Sequence, residues 1–212
     1  MEPSFWHSRW QTNNIAFHQP EVNPLLVRHF PTLALPAGAR VFVPLCGKSL
    51  DLPWLVSQGC RVAGVELSPL AVEQFFFELD VTPVVSVQGA LRHYQAPSVD
   101  LYTGDLFELT PEILGPVDAI YDRAALVALP LELRRRYTAQ LLKLGGGAPQ
   151  LLATYVYDQS QAEGPPFAVG GAEVADHYQG RYRITRLSSE TVEGGMRGKT
   201  PAQEEVWLLQ RP

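Results

Sequence analysis

Between Val41 and Leu55 the chain reads VFVPLCGKSLDLPWL, an apolar run that halts at Pro-Leu-Cys-Gly-Lys and passes straight into a helical pattern. About twenty residues after Gly47 stands Glu66, the spacing at which an acidic side chain ending a second strand accepts hydrogen bonds from ribose hydroxyls. A ribose-bearing ligand is the natural inference. The shortage of glycine narrows it. A dinucleotide pyrophosphate needs G-x-G-x-x-G, a phosphate-cradling P-loop needs G-x-x-x-x-G-K-[ST], and CGKSLDLP satisfies neither. S-adenosylmethionine carries ribose and adenine but no phosphate, so one tight glycine turn and a few carbonyl acceptors suffice. Asp105, at the end of a third strand, is placed to meet the adenine amino group. Each residue also has a plain reading: a lone glycine at a strand–helix junction is often only a turn, and an acid at a strand end is often only solvated. The three together favour the cofactor.

Methyl transfer from a sulfonium to a thiolate is an in-line displacement in which positioning is most of the catalysis. It requires neither a metal nor a covalent intermediate. The chain has no HExxH motif, no Cys/His cluster at zinc spacing and no nucleophile elbow, and His7, His18, His29, His93 and His177 are scattered, so no metal is expected. A protein adds to such a reaction a positive charge that keeps the acceptor as its anion. Arg123, directly after a fourth strand and beside Asp122, is the first candidate; the plain alternative is an Asp-Arg pair tying two loops together. Phe17, Phe167 and Trp6 are candidates to close over an aromatic heterocycle, with the GPPF sequence holding Phe167 on a stiff turn, although aromatic residues are more often plain core. Cys46 reads as a small buried thiol where strand meets helix, not as a nucleophile, because no histidine is near in sequence to activate it. Lys48 reads as an exposed lysine at the helix start.

These residues must be positioned by alternating β-rich runs and helical patterns, the arrangement of a parallel sheet covered on both faces. Strands are predicted at 40–45, 61–67, 99–107, 117–123 and 150–158, with RYRITRLSSE and EEVWLLQRP pairing as the last two. Helices are predicted over LDLPWLVSQG, over PLAVEQFFFEL with Ser68 as N-cap before Pro69, and over 130–147. The loop QSQAEGPPF follows the fifth strand. In the first forty residues, polar and rich in Trp, Phe and His, NPLLVRHF is the only helical pattern.

A chain of 212 residues accommodates one well-buried domain. No apolar run is long enough to span a membrane, no export signal opens the sequence, and Cys46 and Cys60 read as reduced thiols, so the expected location is cytoplasmic. The net charge is −5, and the only basic run, Arg134 to Arg136, reads as a solvated helix face, so nucleic acid is not an expected partner. No zipper or repeat is present, and a monomer is expected.

The chain closely resembles the thiopurine S-methyltransferase family in FWHSRW with AFHQ, VFVPLCGKSLDLPWL, GVELSPLAVEQFF, DRAALVALP and YDQSQAEGPPF, stretches spanning residues 5 to 168. The resemblance implies a class I S-adenosylmethionine-dependent methyltransferase fold, Rossmann-like, with a mostly parallel seven-stranded sheet whose last strand is antiparallel. It implies one methyltransferase domain over 1–212, in which residues 1–38 form a mobile segment covering the cofactor. Carried over by position, Trp6, Trp10, Leu45, Glu66 and Arg123 fall on cofactor contacts, Phe17 on a substrate contact, and Arg197 on a second substrate-side arginine, although the GGMRGKTP loop differs in length from the family pattern. The implied activity is S-methylation of aromatic or heterocyclic thiols, extending to selenium and tellurium oxyanions. Two rival readings are a nicotinamide-dependent oxidoreductase, opposed by the missing G-x-G-x-x-G, and a non-catalytic nucleoside-binding protein.

Overall fold

The computed structural model describes residues 2–212. Two helices come first, α1 (Pro3–Gln11) and α2 (Pro24–His29), the second capped by Asn23, whose side chain accepts the backbone N–H groups of Leu25 and Leu26. There follow β1 (Arg40–Pro44), α3 (Asp51–Ser57), β2 (Arg61–Glu66), α4 (Pro69–Glu78), β3 (Val84–Gln88), β4 (Leu91–Ala96) and β5 (Val99–Thr103). The second half comprises α5 (Pro111–Leu114), β6 (Ala119–Asp122), α6 (Leu131–Gly145), β7 (Gln150–Tyr157), α7 (Gly171–Tyr178), β8 (Arg183–Thr191) and β9 (Ala202–Gln210).

All the strands join one sheet in the order β3-β4-β5-β2-β1-β6-β7-β9-β8. Its centre, β5-β2-β1-β6-β7, is parallel. These strands are short and almost wholly buried, as strands covered on both faces must be. Alternate residues feed two cores. Phe42, Ile120 and Leu152 meet Tyr137 and Leu141 of α6 and Tyr178 of α7 on one side; Val41, Val43 and Leu151 meet Leu26 of α2, Leu52 of α3 and Phe75 of α4 on the other. β9 runs antiparallel between β7 and β8, the expected reversal.

The sheet has nine strands, not seven. The two additional strands, β3 and β4, form an antiparallel hairpin on the outer edge of β5, turning at Gly89 and Ala90. β3 lies wholly exposed, with Val84 at 70% and Val87 at 74% exposure, so it carries no alternation of buried and solvated positions by which a strand is recognised. The third predicted strand ends at Thr103, four residues short of the expected limit, because Gly104 adopts φ +137° and Asp105 caps a short 3-10 turn over Leu106–Glu108. α1, α5 and α7 are also additional to the predicted elements.

Candidate active site

Beyond the carboxyl ends of β1, β2, β5 and β6, under the N-terminal segment, lies a cavity of about 750 Å³. Trp6, Trp10, Phe17, Leu45, Gly47, Glu66, Asp105, Arg123 and Arg197 all line it. Phe167 does not. Its N–H donates to the Val127 carbonyl at 2.6 Å and its ring lies under the Arg134 guanidinium, 5.6 Å from ring centroid to carbon, away from the cavity. Its place at the mouth is taken by Pro165 and Pro166.

The floor is built by the turn after β1. Leu45 (φ +48°) and Gly47 (φ +53°) both adopt left-handed backbone, which folds the chain tightly around Cys46. Leucine is rarely found there, and such conformations collect at ligand sites. At Gly47 a Cβ would stand 3.1 Å from the Trp10 ring, so α1 is seated directly on the turn and a side chain there would crowd the indole on a backbone that already favours glycine. The buried Glu66 carboxylate ties the turn to the end of β2: Gly47 N–H donates to one oxygen at 3.0 Å and Ser68 N–H to the other at 2.8 Å. Burial raises the Glu66 carboxyl above its ordinary value, and these N–H donors pull it back. Ser68 occupies the N-cap position of α4, but its side chain makes no cap bond.

Cys46 is buried, its sulfur packed towards Gly64, and burial followed by the Glu66 charge pushes its thiol well up, which fits packing and not nucleophilic attack. Lys48 is not exposed at the helix start: α3 begins three residues later, and the lysine, on the cavity wall, pairs with Glu78 at 2.6 Å. Asp105 accepts the Phe107 N–H at 3.0 Å, so one oxygen caps the turn.

Arg123 is not partnered by its neighbour Asp122. The Asp122 carboxylate is buried on the opposite face, accepting Leu126 N–H at 3.1 Å and Tyr137 O–H at 2.7 Å, and burial raises it to about 6. Arg123 instead lies 4.0 Å from Asp51, a buried acid that also accepts Tyr121 O–H at 3.0 Å and Asn23 N–H at 2.8 Å. Its Nε is buried with no hydrogen-bond partner. Arg197, also left-handed at φ +53°, donates to the Pro165 carbonyl at 3.1 Å from the loop between β8 and β9. The aromatic wall is continuous, with Phe17 edge-on to Trp6 and Trp10 at 5.8 and 5.6 Å.

Of the run Arg134 to Arg136, Arg135 and Arg136 are exposed, as a solvated helix face requires, and Arg134 is the exception. Arg134 is buried and bonded to Glu173 at 2.6 and 3.1 Å; Arg136 lies over the Phe107 ring at 4.4 Å and lines the cavity. Sequence reasoning missed Asp51, Tyr121, Tyr155 and His18, all on the cavity wall. Burial first, then the Lys48 charge, lowers the His18 imidazole below its usual value.

The model of the thiopurine S-methyltransferase family matches residues 1–212. The chain belongs to that family. A thiopurine S-methyltransferase of Xanthobacter autotrophicus is 52% identical over 212 residues, covering all of both chains. One from Pseudomonas fluorescens is 48% identical over 214 residues, covering 99% of each. Among solved structures, the fold is shared with the 1,6-didemethyltoxoflavin-N1-methyltransferase of Burkholderia thailandensis, solved with bound 1,6-didemethyltoxoflavin and S-adenosylhomocysteine, at a TM-score of 0.65, 15% identity, and 99% and 86% coverage. It is shared also with an S-adenosylmethionine-dependent methyltransferase of Anabaena variabilis, at 0.64, 13% identity, and 99% and 95% coverage. The class I methyltransferase fold is thereby established, with an edge hairpin added to the seven-stranded order.

Proposed function

We propose that this thiopurine S-methyltransferase family member binds S-adenosylmethionine in the cavity under α1 and transfers its methyl group to the sulfur of an aromatic or heterocyclic thiol. The observation that carries the reading is the convergence, in one cavity, of a buried acid at a glycine turn with a partly buried arginine, Arg123. The residues present fit the cofactor: an ionised Glu66 has lone pairs left for ribose hydroxyls, Gly47 and Leu45 bring backbone close without a phosphate cradle, and Trp10 covers the turn. S-adenosylmethionine supplies an electrophilic methyl group on a sulfonium. The protein supplies the rest. Trp6, Trp10 and Asp105 hold and orient the nucleoside, and the segment 1–38 excludes water by closing over it, within a single domain of 212 residues.

Arg123 is the acceptor's counter-charge. A guanidinium whose Nε–H has no partner, held at 4.0 Å from its nearest carboxylate, retains donor capacity for a sulfur anion. Phe17 and Arg197 shape the acceptor side. Selenium and tellurium oxyanions, soft and anionic, suit the same charge and are proposed as further acceptors. Both cysteines are free, consistent with the cytoplasmic location we propose, as a monomer. Among the described residues no helix is long and apolar enough to cross a membrane.

Calorimetric titration with S-adenosylhomocysteine, with NAD as control, tests the cofactor. Micromolar binding of the first alone is expected, followed by methyl transfer to an aromatic thiol; binding of NAD instead would overturn the reading.

A further inference from the structure

Three elements converge on the carboxylate of Asp51, which is 1% exposed and stands on the cavity wall. Its Oδ1 accepts the Asn23 backbone N–H at 2.8 Å, at the N-cap of α2. Its Oδ2 accepts the Tyr121 hydroxyl, from β6, at 3.0 Å and lies 4.0 Å from Nη1 of Arg123, the residue just past that strand. An acid in the first turn suits α3, but an exposed one would serve the helix as well, so the burial of Asp51 calls for a further account.

The distance to Arg123 supplies it. At 4.0 Å the two groups attract by charge while lying beyond hydrogen-bond reach. The Asn23 and Tyr121 donors hold one carboxylate oxygen each, so the negative charge is fixed in place by neutral partners. A bidentate arginine–carboxylate pair would consume two of the five guanidinium donors. Here Nε of Arg123 is still without a partner. Among the described residues Asp51 is the only carboxylate within 4.0 Å of Arg123.

We infer that Asp51 is the positioning residue for Arg123, holding the guanidinium by charge while leaving its donors to the acceptor's anion. The inference rests on Arg123 as the acceptor's counter-charge. Because Asn23 shares the same carboxylate, the arginine is fixed relative to the point where the segment covering the cavity joins α2. Removing the Asp51 charge acts oppositely on binding and on transfer. The freed guanidinium pairs with an anion at least as well, so acceptor affinity is kept; the alignment needed for in-line displacement is lost, so the rate falls.

A double-mutant cycle of Asp51→Asn and Arg123→Ala tests this. It is read as the single-turnover rate of methyl transfer from S-adenosylmethionine to saturating thiophenol, beside the calorimetric affinity of the S-adenosylhomocysteine complex for thiophenol. Asp51→Asn should lower the rate about tenfold to 100-fold. Thiophenol affinity should stay within about threefold of wild type or become tighter. In the Arg123→Ala background the same substitution should change the rate by less than about twofold, since its partner is already gone. Asp51→Glu, which keeps the charge and moves it by one methylene group, should lose less of the rate than Asp51→Asn. A rate unchanged by Asp51→Asn, or lowered equally in both backgrounds, would overturn the positioning role, as would a loss of affinity as large as the loss of rate. If Asp51→Asn does not fold, Asp51→Glu decides by the same criteria. A wild-type protein that transfers no methyl group to thiophenol overturns the thiol reading of the cavity, and the role of Asp51 with it.

Discussion

Replacing Glu66 by glutamine separates what its carboxylate does for the fold from what it does for the ligand. Both oxygens are engaged, one by Gly47 N–H at 3.0 Å and the other by Ser68 N–H at 2.8 Å. An amide keeps one acceptor and turns the other into an NH₂ group facing a backbone N–H. One buried donor is thus left unpaired, which costs about 1–3 kcal/mol of folding stability. The ligand loses charge-assisted bonds to its ribose hydroxyls, and the affinity should fall by about 1.5–3 kcal/mol, or roughly tenfold to 150-fold. A urea unfolding midpoint of the unliganded protein measures the first effect, and calorimetric titration with S-adenosylhomocysteine measures the second. Because burial raises the wild-type carboxyl above 4.5, acidification protonates it earlier than an exposed glutamate. Affinity should therefore fall with pH through that range in the wild type and stay flat in the variant. A dissociation constant within twofold of wild type, at an unchanged unfolding midpoint, would remove Glu66 from the nucleoside site.

Gly47→Ala places a Cβ 3.1 Å from the Trp10 ring on a backbone of φ +53°, so it should cost about 1–2 kcal/mol of stability, read from the urea midpoint, and weaken S-adenosylhomocysteine binding. Arg123→Ala should lower turnover more than cofactor affinity, which single-turnover kinetics set against calorimetry will show; equal losses would count against a role at the acceptor. Asp122→Asn should abolish a pH dependence of stability. The folded carboxyl lies at about 6 against 3.8 unfolded, so its contribution is present below 3.8 and lost as pH rises through 6, a change on the order of 3 kcal/mol. Urea midpoints at pH 5 and pH 8 should differ less in the variant than in the wild type.

The parallel centre of the sheet was legible because strands buried on both faces are written as continuous apolar runs, and β1, β2 and β7 end within one residue of expectation. The hairpin β3–β4 was not, because pairing along an exposed sheet edge is satisfied by backbone and leaves no apolar alternation in the side chains. α1 was missed for a related reason: its face is selected by the Gly47 turn and the cavity beneath it, and a short helix with one buried residue, Trp10, has no stripe to read.

The sequence by itself determined the turn and its acid: Gly47 and Glu66 are local, each dictated by where a strand ends, and their separation in the chain measures one strand–helix–strand unit. The partners were decided by tertiary structure. Arg123 faces Asp51 and not the adjacent Asp122, because consecutive residues at a strand end point to opposite faces of the sheet. Phe167, in the loop after β7, is held by the Val127 carbonyl and does not line the cavity, and strand pairing sets Tyr155 opposite Glu204, far apart in the chain. Spacing in a sequence reports which strand end a residue occupies. Which side chain it meets there depends on the element packed beside it, and for Arg123 that element is α3, whose first residue is Asp51.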